Sequence, residues 1–120
     1  MIVAVIGGGK IGEAVARSIA ESGNVSKVIM TRRAIRTQVT SQPQKLILST
    51  DNPGAAQEAD VIIIAVKAGD AKQVLGEIAP QVSGKIVISL MAAVSIHRLE
   101  HALPGAKVVR SMPNIAAIIG

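Results

Sequence analysis

A glycine-rich segment near the N-terminus joins an apolar run to a stretch with helical periodicity. The run Ile2–Ile6 is continuously apolar, as in a strand that is buried on both faces. Gly7, Gly9 and Gly12 follow in the spacing Gly-x-Gly-x-x-Gly, and a helical apolar pattern extends from Lys10 to Ser22. A strand, a tight turn and a helix in this order predict a site where the helix N-terminus binds the pyrophosphate of a dinucleotide.

Each of the three glycines has a separate predicted role. Gly7 permits the tight turn, Gly9 allows the backbone to approach the pyrophosphate, and Gly12 allows the helix to pack closely on the sheet. The alternative, a merely flexible turn, is less favoured because both flanking elements have the required pattern. A loop of the nucleoside-triphosphatase type is excluded, since no Gly-Lys-Ser/Thr sequence ends the segment.

The rest of the chain alternates short β-branched runs with helical patterns. After the first strand, the predicted strands are Lys27–Thr31, Lys45–Ser49, Val61–Val66, Lys85–Leu90 and Lys107–Ser111. Such alternation implies a parallel sheet with right-handed crossovers and helices on both faces. We therefore predict an α/β fold in which residues 1–120 form a single doubly wound domain of the Rossmann type, with strand order 3-2-1-4-5-6.

Signals at the helix ends define the remaining helices. The predicted N-caps are Asn52, Asp70 and Ser95. A proline follows the first of these, and the second has capping-box spacing to a glutamine. The predicted buried face of the last helix consists of Ile96, Leu99 and Leu103. The segment 33–42 is polar and ambiguous, and a short helix is one interpretation.

The composition limits the chemistry that this chain can perform. It contains no Phe, Tyr, Trp or Cys, which excludes a disulfide scaffold, a thiolate nucleophile and aromatic stacking on a base. The formal net charge of +5 favours an anionic partner. Because no apolar run approaches the roughly 20 residues of a membrane span and no basic signal region begins the chain, we expect a cytoplasmic protein without a membrane partner.

The end of the second predicted strand distinguishes NADP from NAD. An NAD site usually has an acidic residue here, which binds the ribose 2′-hydroxyl. This chain instead has Thr31, Arg32 and Arg33, and no carboxylate occurs between Glu21 and Asp51. Guanidinium groups bind a phosphate bidentately, so NADP(H) is the predicted cofactor. Because the chain has no aromatic residues, the adenine is expected to rest against aliphatic side chains or against an arginine plane such as that of Arg32. A solvated basic face is the alternative.

Other polar residues give weaker signals. His97 and His101 have a spacing that can bind a metal, but a solvated helix face is the preferred interpretation and no metal site is predicted. No nucleophile with a paired base is visible, so no catalytic residue is assigned. Lys67 is predicted at the carboxyl end of the fourth strand, where ligands of open α/β sheets bind. A merely solvated or capping Lys67 is the alternative.

Several segments together resemble the N-terminal dinucleotide-binding domain of pyrroline-5-carboxylate reductase. The matching segments, which extend over the whole chain, are Ile6–Ala14, Thr31–Arg33, Asp51-Asn52 with Ala59–Val61, Ala65–Lys67, Ile88–Val94 and Val109–Asn114. The last of these resembles the Val-Arg-x-Met-Pro-Asn signature of the family and is the most specific, because glycine loops also occur in unrelated dehydrogenases. Coenzyme-F420-dependent NADP reductase domains are weaker relatives.

The resemblance implies NADP(H) as the cofactor and hydride transfer from NADPH to the C=N carbon of a cyclic imine, giving proline. The residues that it assigns to the pyrophosphate are Gly7, Gly9, Lys10 and Ile11. Those that it assigns to the 2′-phosphate and the adenosine ribose are Arg32, Arg33 and Asn52. Those that it places beside the nicotinamide are Val66, Lys67 and Ala92. The further implied cofactor-binding residues are Gly12, Thr31 and Asn114.

Three departures from the family bear on activity. Ala68 stands where the family has Pro, Ala93 stands where it has Gly, and the helical dimerisation domain that completes the imine pocket does not follow within these residues. We therefore expect the NADP-binding domain of an oxidoreductase in proline biosynthesis, weakly active or inactive as an isolated chain.

Two other functions remain open. One is a stand-alone NADP-binding, sensing or scaffold module that pairs with a second copy or another subunit through the apolar end Met112–Gly120. The other is a nucleic-acid binder that uses Arg32, Arg33 and Arg36. It is disfavoured, because the chain has neither aromatic residues nor a basic helix.

Overall fold

A six-stranded parallel sheet forms the centre of the protein in a computed structural model that describes residues 1–34 and 43–111. The strands are β1 (Ile2–Ile6), β2 (Lys27–Thr31), β3 (Leu46–Ser49), β4 (Val61–Ile64), β5 (Ile86–Ser89) and β6 (Lys107–Arg110). Their order across the sheet is β3-β2-β1-β4-β5-β6, so the direction of winding reverses between β1 and β4. The predicted Rossmann-type fold and its strand order are confirmed.

Four α-helices connect the strands within the described residues. They are α1 (Lys10–Glu21), α2 (Asn52–Glu58), α3 (Ala71–Ile78) and α4 (Ile96–Ala102). Two short 3₁₀ turns, Ala68–Asp70 and Ala79–Gln81, flank α3. The predicted helices are present with small differences at their ends. For the segment 33–42, where a short helix is one interpretation, residues 35–42 lie outside the described residues.

Two aliphatic cores lie on opposite faces of the sheet. On one face, α1 packs Val15 and Ala16 against Val5 and Met30. On the other face, α2, α3 and α4 cover residues such as Ile62. Because successive side chains of a strand point to opposite faces, β1 and β4 need an apolar residue at nearly every position. This requirement explains their continuous apolar runs.

The α1 face of the sheet is more open over β5 and β6. Ile88 and Val109 are neighbours in the parallel register, and Ile86 lies two residues before Ile88 on the same face. Ile86 is 42 % exposed and Val109 is 50 % exposed. In the described part of the chain, the face therefore presents apolar side chains at this edge.

One of the predicted N-caps is wrong, and another makes no side-chain capping bond. The residue that caps α2 is Asp51, because its backbone is extended and its Oδ1 accepts a hydrogen bond of 3.0 Å from the Gly54 N–H. Asn52 is already the first helical residue. Asp70 is the N-cap residue of α3 as predicted, but its side chain makes no capping bond, since its backbone is helical and its carboxylate pairs with Arg33 instead.

The cap of α4 is confirmed, but one residue of its predicted buried face is wrong. The Ser95 Oγ accepts a hydrogen bond of 3.1 Å from the N–H three residues on. Leu99 and Leu103 are buried, whereas Ile96 is 42 % exposed. Val94, the residue before the cap, is buried in the same core as Leu99. This contact is a hydrophobic staple, which brings Val94 rather than Ile96 into the core.

Candidate functional site

The glycine-rich loop lies at the reversal of strand order, where β1 and β4 are neighbours. Gly7 has a φ of +104°, which residues with a side chain rarely adopt. A Cβ at Gly7 would also lie 2.8 Å from Val66 Cγ1 and 2.9 Å from the Ala65 carbonyl carbon. The predicted tight turn is confirmed, and it brings the loop directly against the residues that follow β4.

The other two glycines of the motif shape the N-terminus of α1. Gly9 is the N-cap, and no atom lies within 4 Å of its Cβ position. Its backbone is therefore accessible from the crevice over the carboxyl end of β1, between the segments that follow β2 and β4. A Cβ at Gly12 would overlap the Gly7 carbonyl oxygen, which is why the helix can pack this closely on the loop. Lys10 and Ile11 in the first turn are exposed. The N–H groups of this turn therefore suit an anionic group such as a phosphate.

Thr31, the last residue of β2, holds the glycine loop in place. It is 1 % exposed, and its Oγ1 accepts a hydrogen bond of 3.2 Å from the Gly7 N–H. The chain then continues along the sheet, because the Arg32 N–H donates to the Ser49 carbonyl at 2.9 Å. In this geometry Thr31 supports a ligand site by fixing the loop, since its own hydroxyl is buried and already bonded.

Arg32 lies across the glycine loop. A Cβ at Gly8 would lie 2.6 Å from the Arg32 Nε and 3.1 Å from its Cδ, so the arginine side chain rests on the middle glycine. The Arg32 Nη2 is 3.4 Å from Glu13 Oε2 on α1. The other Glu13 oxygen binds the Arg17 Nε at 3.2 Å. The side chain of Arg32 is thus held between the loop and the first turns of α1.

The Nε of Arg32 is buried and has no hydrogen-bond partner among the described residues. Leaving a buried donor unsatisfied costs about 1–3 kcal/mol, and more when the group is charged. An acceptor supplied by a ligand would remove this penalty. Because the donor belongs to a guanidinium beside the N-terminus of α1, the residues present fit the 2′-phosphate of a bound NADP(H).

Arg33 reaches across the crevice to Asp70. Its side chain is 80 % exposed and forms an ion pair with Asp70, the last residue of the 3₁₀ turn that follows β4. The Asp70 N–H donates to the Lys67 carbonyl at 2.9 Å, and Lys67 itself is exposed at the start of this turn. The ion pair therefore connects the ends of β2 and β4, which are the two walls of the crevice.

The predicted nicotinamide end is formed by the segments that follow β4 and β5. Val66 is half-buried, and Ala92 is exposed. The Ala92 carbonyl accepts a hydrogen bond of 2.7 Å from Arg110 Nη2, so β6 holds the segment after β5 in place. Ala93, which replaces a glycine of the resembled family, does not have a positive φ. Its Cβ therefore introduces no backbone strain.

Of the predicted cofactor residues, one lies apart from this cluster. Asn52 is the half-buried first residue of α2, beyond the carboxyl end of β3. Asn114 lies outside the described residues. The remaining predicted residues lie at the carboxyl edge of the sheet, in the first turn of α1 and at or just after the ends of β1, β2, β4 and β5.

Four residues that shape this edge have no predicted role there. They are Gly8, Glu13, Asp70 and Arg110. The sequence did offer a signal for Gly8, because it lies between two glycines of the dinucleotide motif and the motif itself does not require a glycine there. The other three carry no local signal, since their partners lie elsewhere in the chain and meet them only in the folded protein.

Other features of the described residues do not point to a second kind of site. They contain no group of three or more His, Cys, Asp or Glu residues that could hold a metal, and His97 and His101 are exposed. No helix in these ranges is long and apolar enough to cross a membrane. A cleft of about 300 Å³ lies between α2 and the strands β2 and β3, beside Lys27, Ile47 and Glu58, and includes no residue of the glycine loop.

Fold and site together define a Rossmann-type dinucleotide-binding domain, because a glycine loop opens a helix where the strand order reverses. Residues 2–93 match the family model described as NADP oxidoreductase, coenzyme F420-dependent, and the chain belongs to this family. Pyrroline-5-carboxylate reductase of Corynebacterium melassecola is 38 % identical over 125 residues, which cover 98 % of this chain and 46 % of the relative. The Synechocystis reductase is 33 % identical over 97 % of this chain and 45 % of its own length.

A solved structure agrees with these similarities. Plasmodium falciparum pyrroline carboxylate reductase with NADP bound superposes with a TM-score of 0.85 at 27 % identity, over 99 % of this chain and 44 % of that one. The sequence-based resemblance is confirmed, and the cofactor prediction agrees with the family description and with this relative. The chain spans a little less than half the length of the curated relatives described above.

Proposed function

We propose that this protein is the NADP(H)-binding domain of a pyrroline-5-carboxylate-type reductase, in which hydride passes from NADPH to the C=N carbon of a cyclic imine in proline biosynthesis. The observation that carries the cofactor assignment is the Arg32 side chain, whose buried, unpaired Nε lies over Gly8 beside the N-terminus of α1. The similarity to curated pyrroline-5-carboxylate reductases over 98 % of the chain supports the reaction class. A cytoplasmic location is part of the proposal.

In this proposal the N-terminus of α1 binds the pyrophosphate. Gly9 leaves the backbone accessible, and Lys10 and Ile11 offer their N–H groups at the positive end of the helix dipole. Thr31 keeps the loop in its turn by accepting the hydrogen bond from Gly7. The phosphate-binding surface is therefore formed before the cofactor arrives, so little ordering is needed on binding.

Arg32 and Arg33 hold the 2′-phosphate. Both follow β2, at the place where an NAD-binding domain has a carboxylate that would repel a phosphate. The phosphate supplies an acceptor for the Arg32 guanidinium, whose Nε has no partner among the described residues. A hydrogen bond to a charged group is worth about 1.5–3 kcal/mol, which is enough for a clear preference for NADP(H).

The segments after β4 and β5 border the reactive end of the cofactor. Bound NADPH supplies the hydride, and the protein supplies its placement and surroundings. Val66 lies against the glycine loop, Lys67 is exposed at the mouth of the crevice, and Arg110 fixes the segment that carries Ala92. Asn114, which lies outside the described residues, is proposed as a further cofactor contact. The proposal assigns no residue of this chain to the imine.

The cofactor assignment is tested by calorimetric titration with NADPH and NADH. We expect the wild-type protein to bind NADPH more tightly than NADH. Arg32→Ala should weaken NADPH binding about 10–100-fold and NADH binding much less, because NADH has no 2′-phosphate. Arg98→Ala is the matched control, since it removes the same charge from exposed α4. Tighter binding of NADH, or equal NADPH affinity in wild type and Arg32→Ala, would contradict the assignment.

A stand-alone module that binds NADP(H) and pairs with another polypeptide is the second candidate function. The exposed apolar residues Ile86 and Val109 favour it, because they offer a surface on which a second chain could be buried. The segment proposed for this pairing, Met112–Gly120, lies outside the described residues. Imine-dependent oxidation of NADPH by the purified 120-residue chain would support the enzyme and contradict the module.

A further inference from the structure

The ion pair between Arg33 and Asp70 crosses the mouth of the crevice. Arg33 follows β2 and Asp70 follows β4, and β1 lies between these two strands. Neighbouring strands are about 4.8 Å apart, so the pair spans roughly 10 Å over the carboxyl end of β1. The glycine loop begins at that end. A dinucleotide that lies on the loop therefore meets this ion pair.

Both arginines of the proposed 2′-phosphate site have a carboxylate partner, but the two partners differ. Glu13 lies on α1 beside the loop and divides its oxygens between Arg32 and Arg17. Asp70 lies on the opposite wall, and its side chain is 33 % exposed. A ligand that takes Arg33 away from Asp70 therefore also removes a contact between the segments that follow β2 and β4. A ligand that binds Arg32 leaves this contact in place.

The strength of the pair is suited to displacement by a phosphate. Arg33 is largely exposed, and an exposed ion pair of this kind changes an equilibrium by at most about fivefold. A phosphate monoester carries a charge of about −1.5 to −2 and three acceptor oxygens, against a single negative charge on Asp70. The phosphate is thus the stronger partner for the guanidinium.

We propose that Asp70 is a specificity-determining residue of the NADP(H) site. Its carboxylate competes with the 2′-phosphate for Arg33 across the mouth of the crevice and releases the arginine when the phosphate binds. A cofactor without the 2′-phosphate leaves the ion pair closed. Asp70 therefore adjusts the affinity for NADP(H) while it leaves the affinity for NAD(H) unchanged. This inference rests on the proposed function.

The test is a double-mutant cycle measured by calorimetry with NADPH, NADH and adenosine 2′,5′-bisphosphate. Asp70→Asn should bind NADPH and the bisphosphate about 2–5-fold more tightly than the wild type, with NADH unchanged. In the Arg33→Ala background, Asp70→Asn should have no further effect, because the residue for which Asp70 competes is absent. Glu100→Gln, which removes an equal charge from exposed α4, is the matched control and should change nothing.

The outcomes separate this inference from the function on which it rests. If the wild type prefers NADPH but Asp70→Asn leaves its affinity unchanged, the inference is wrong and the proposed function stands. Two results would show a general effect of charge and contradict the proposed competition for Arg33. One is that Asp70→Asn raises the affinity for NADH as much as that for NADPH, and the other is that its effect persists in the Arg33→Ala background. If the wild type does not bind NADPH, both the function and the inference fail.

Discussion

Neighbouring glycines of the loop differ in what a side chain would disturb. At Gly7 a Cβ would meet backbone atoms and Val66, and the φ of +104° is itself unfavourable for other residues. At Gly8 the nearest atoms belong to the flexible side chain of Arg32. A methyl group at Gly7 should therefore destabilise the fold, whereas a methyl group at Gly8 should displace the Arg32 side chain.

Gly8→Ala should reduce NADPH affinity without a large loss of stability. The added Cβ displaces Arg32 from the loop, so its guanidinium moves away from the proposed 2′-phosphate site. We expect NADPH to bind about tenfold more weakly, with the free energy of unfolding changed by less than about 1 kcal/mol. Calorimetric titration and chemical denaturation followed by circular dichroism measure the two quantities.

Gly7→Ala is the comparison for this variant. Strain in a left-handed backbone conformation and the contact with the Ala65 backbone should lower the free energy of unfolding by about 1–3 kcal/mol. A Gly8→Ala protein that is destabilised as much as Gly7→Ala, or that binds NADPH normally, would contradict the position of Arg32 over the loop.

At the scale of single elements, the helix ends are fixed by both local and distant contacts. Asp51 and Ser95 cap their helices through bonds to residues three positions further on. The other end of α2 depends on a distant residue, because the Lys85 Nζ donates to the carbonyls of Ala56 at 2.8 Å and Gln57 at 2.6 Å. Lys85 thus joins the start of β5 to the C-terminus of α2 and satisfies carbonyls that the helix leaves free.

Asp51→Ala should destabilise the protein more than Asn52→Ala. Removing the cap leaves the Gly54 N–H without its acceptor, which costs about 0.5–2 kcal/mol. Asn52 is the first helical residue and makes no capping bond to this N–H, so its loss should cost less than about 0.5 kcal/mol. Thermal unfolding of both variants decides which residue is the cap, and the reverse order of stability would rule out the assignment of Asp51.

At the scale of the whole molecule, cofactor binding and stability are linked. NADPH at 100 times its dissociation constant should raise the free energy of unfolding by about 2.7 kcal/mol, which is roughly 10 °C for a domain of this size. The same concentration of NADH should give a smaller shift. Because the chain has no aromatic residues, unfolding is followed by circular dichroism or calorimetry rather than by intrinsic fluorescence. Equal shifts with the two cofactors would contradict a 2′-phosphate site.

The sequence alone determined the alternation of strands and helices, the strand order and the position of the glycine loop. These features are readable because burial on both faces requires continuous apolar strands, and because a tight turn with a positive φ requires a glycine at position 7. The caps at residues 51 and 52 show the limit of this reasoning. Adjacent residues with similar side chains compete for one N–H, and only the backbone geometry separates them.

The tertiary structure alone decided which charged groups face each other at the carboxyl edge of the sheet. Arg33 and Asp70 are distant in the sequence, and they meet because the ends of β2 and β4 lie on either side of β1. Arg32 likewise finds Glu13 and Gly8 only when β2 pairs with β1. The sequence around a residue does not predict such partners. Parallel strands bring together the ends of segments that are separated along the chain by whole helices.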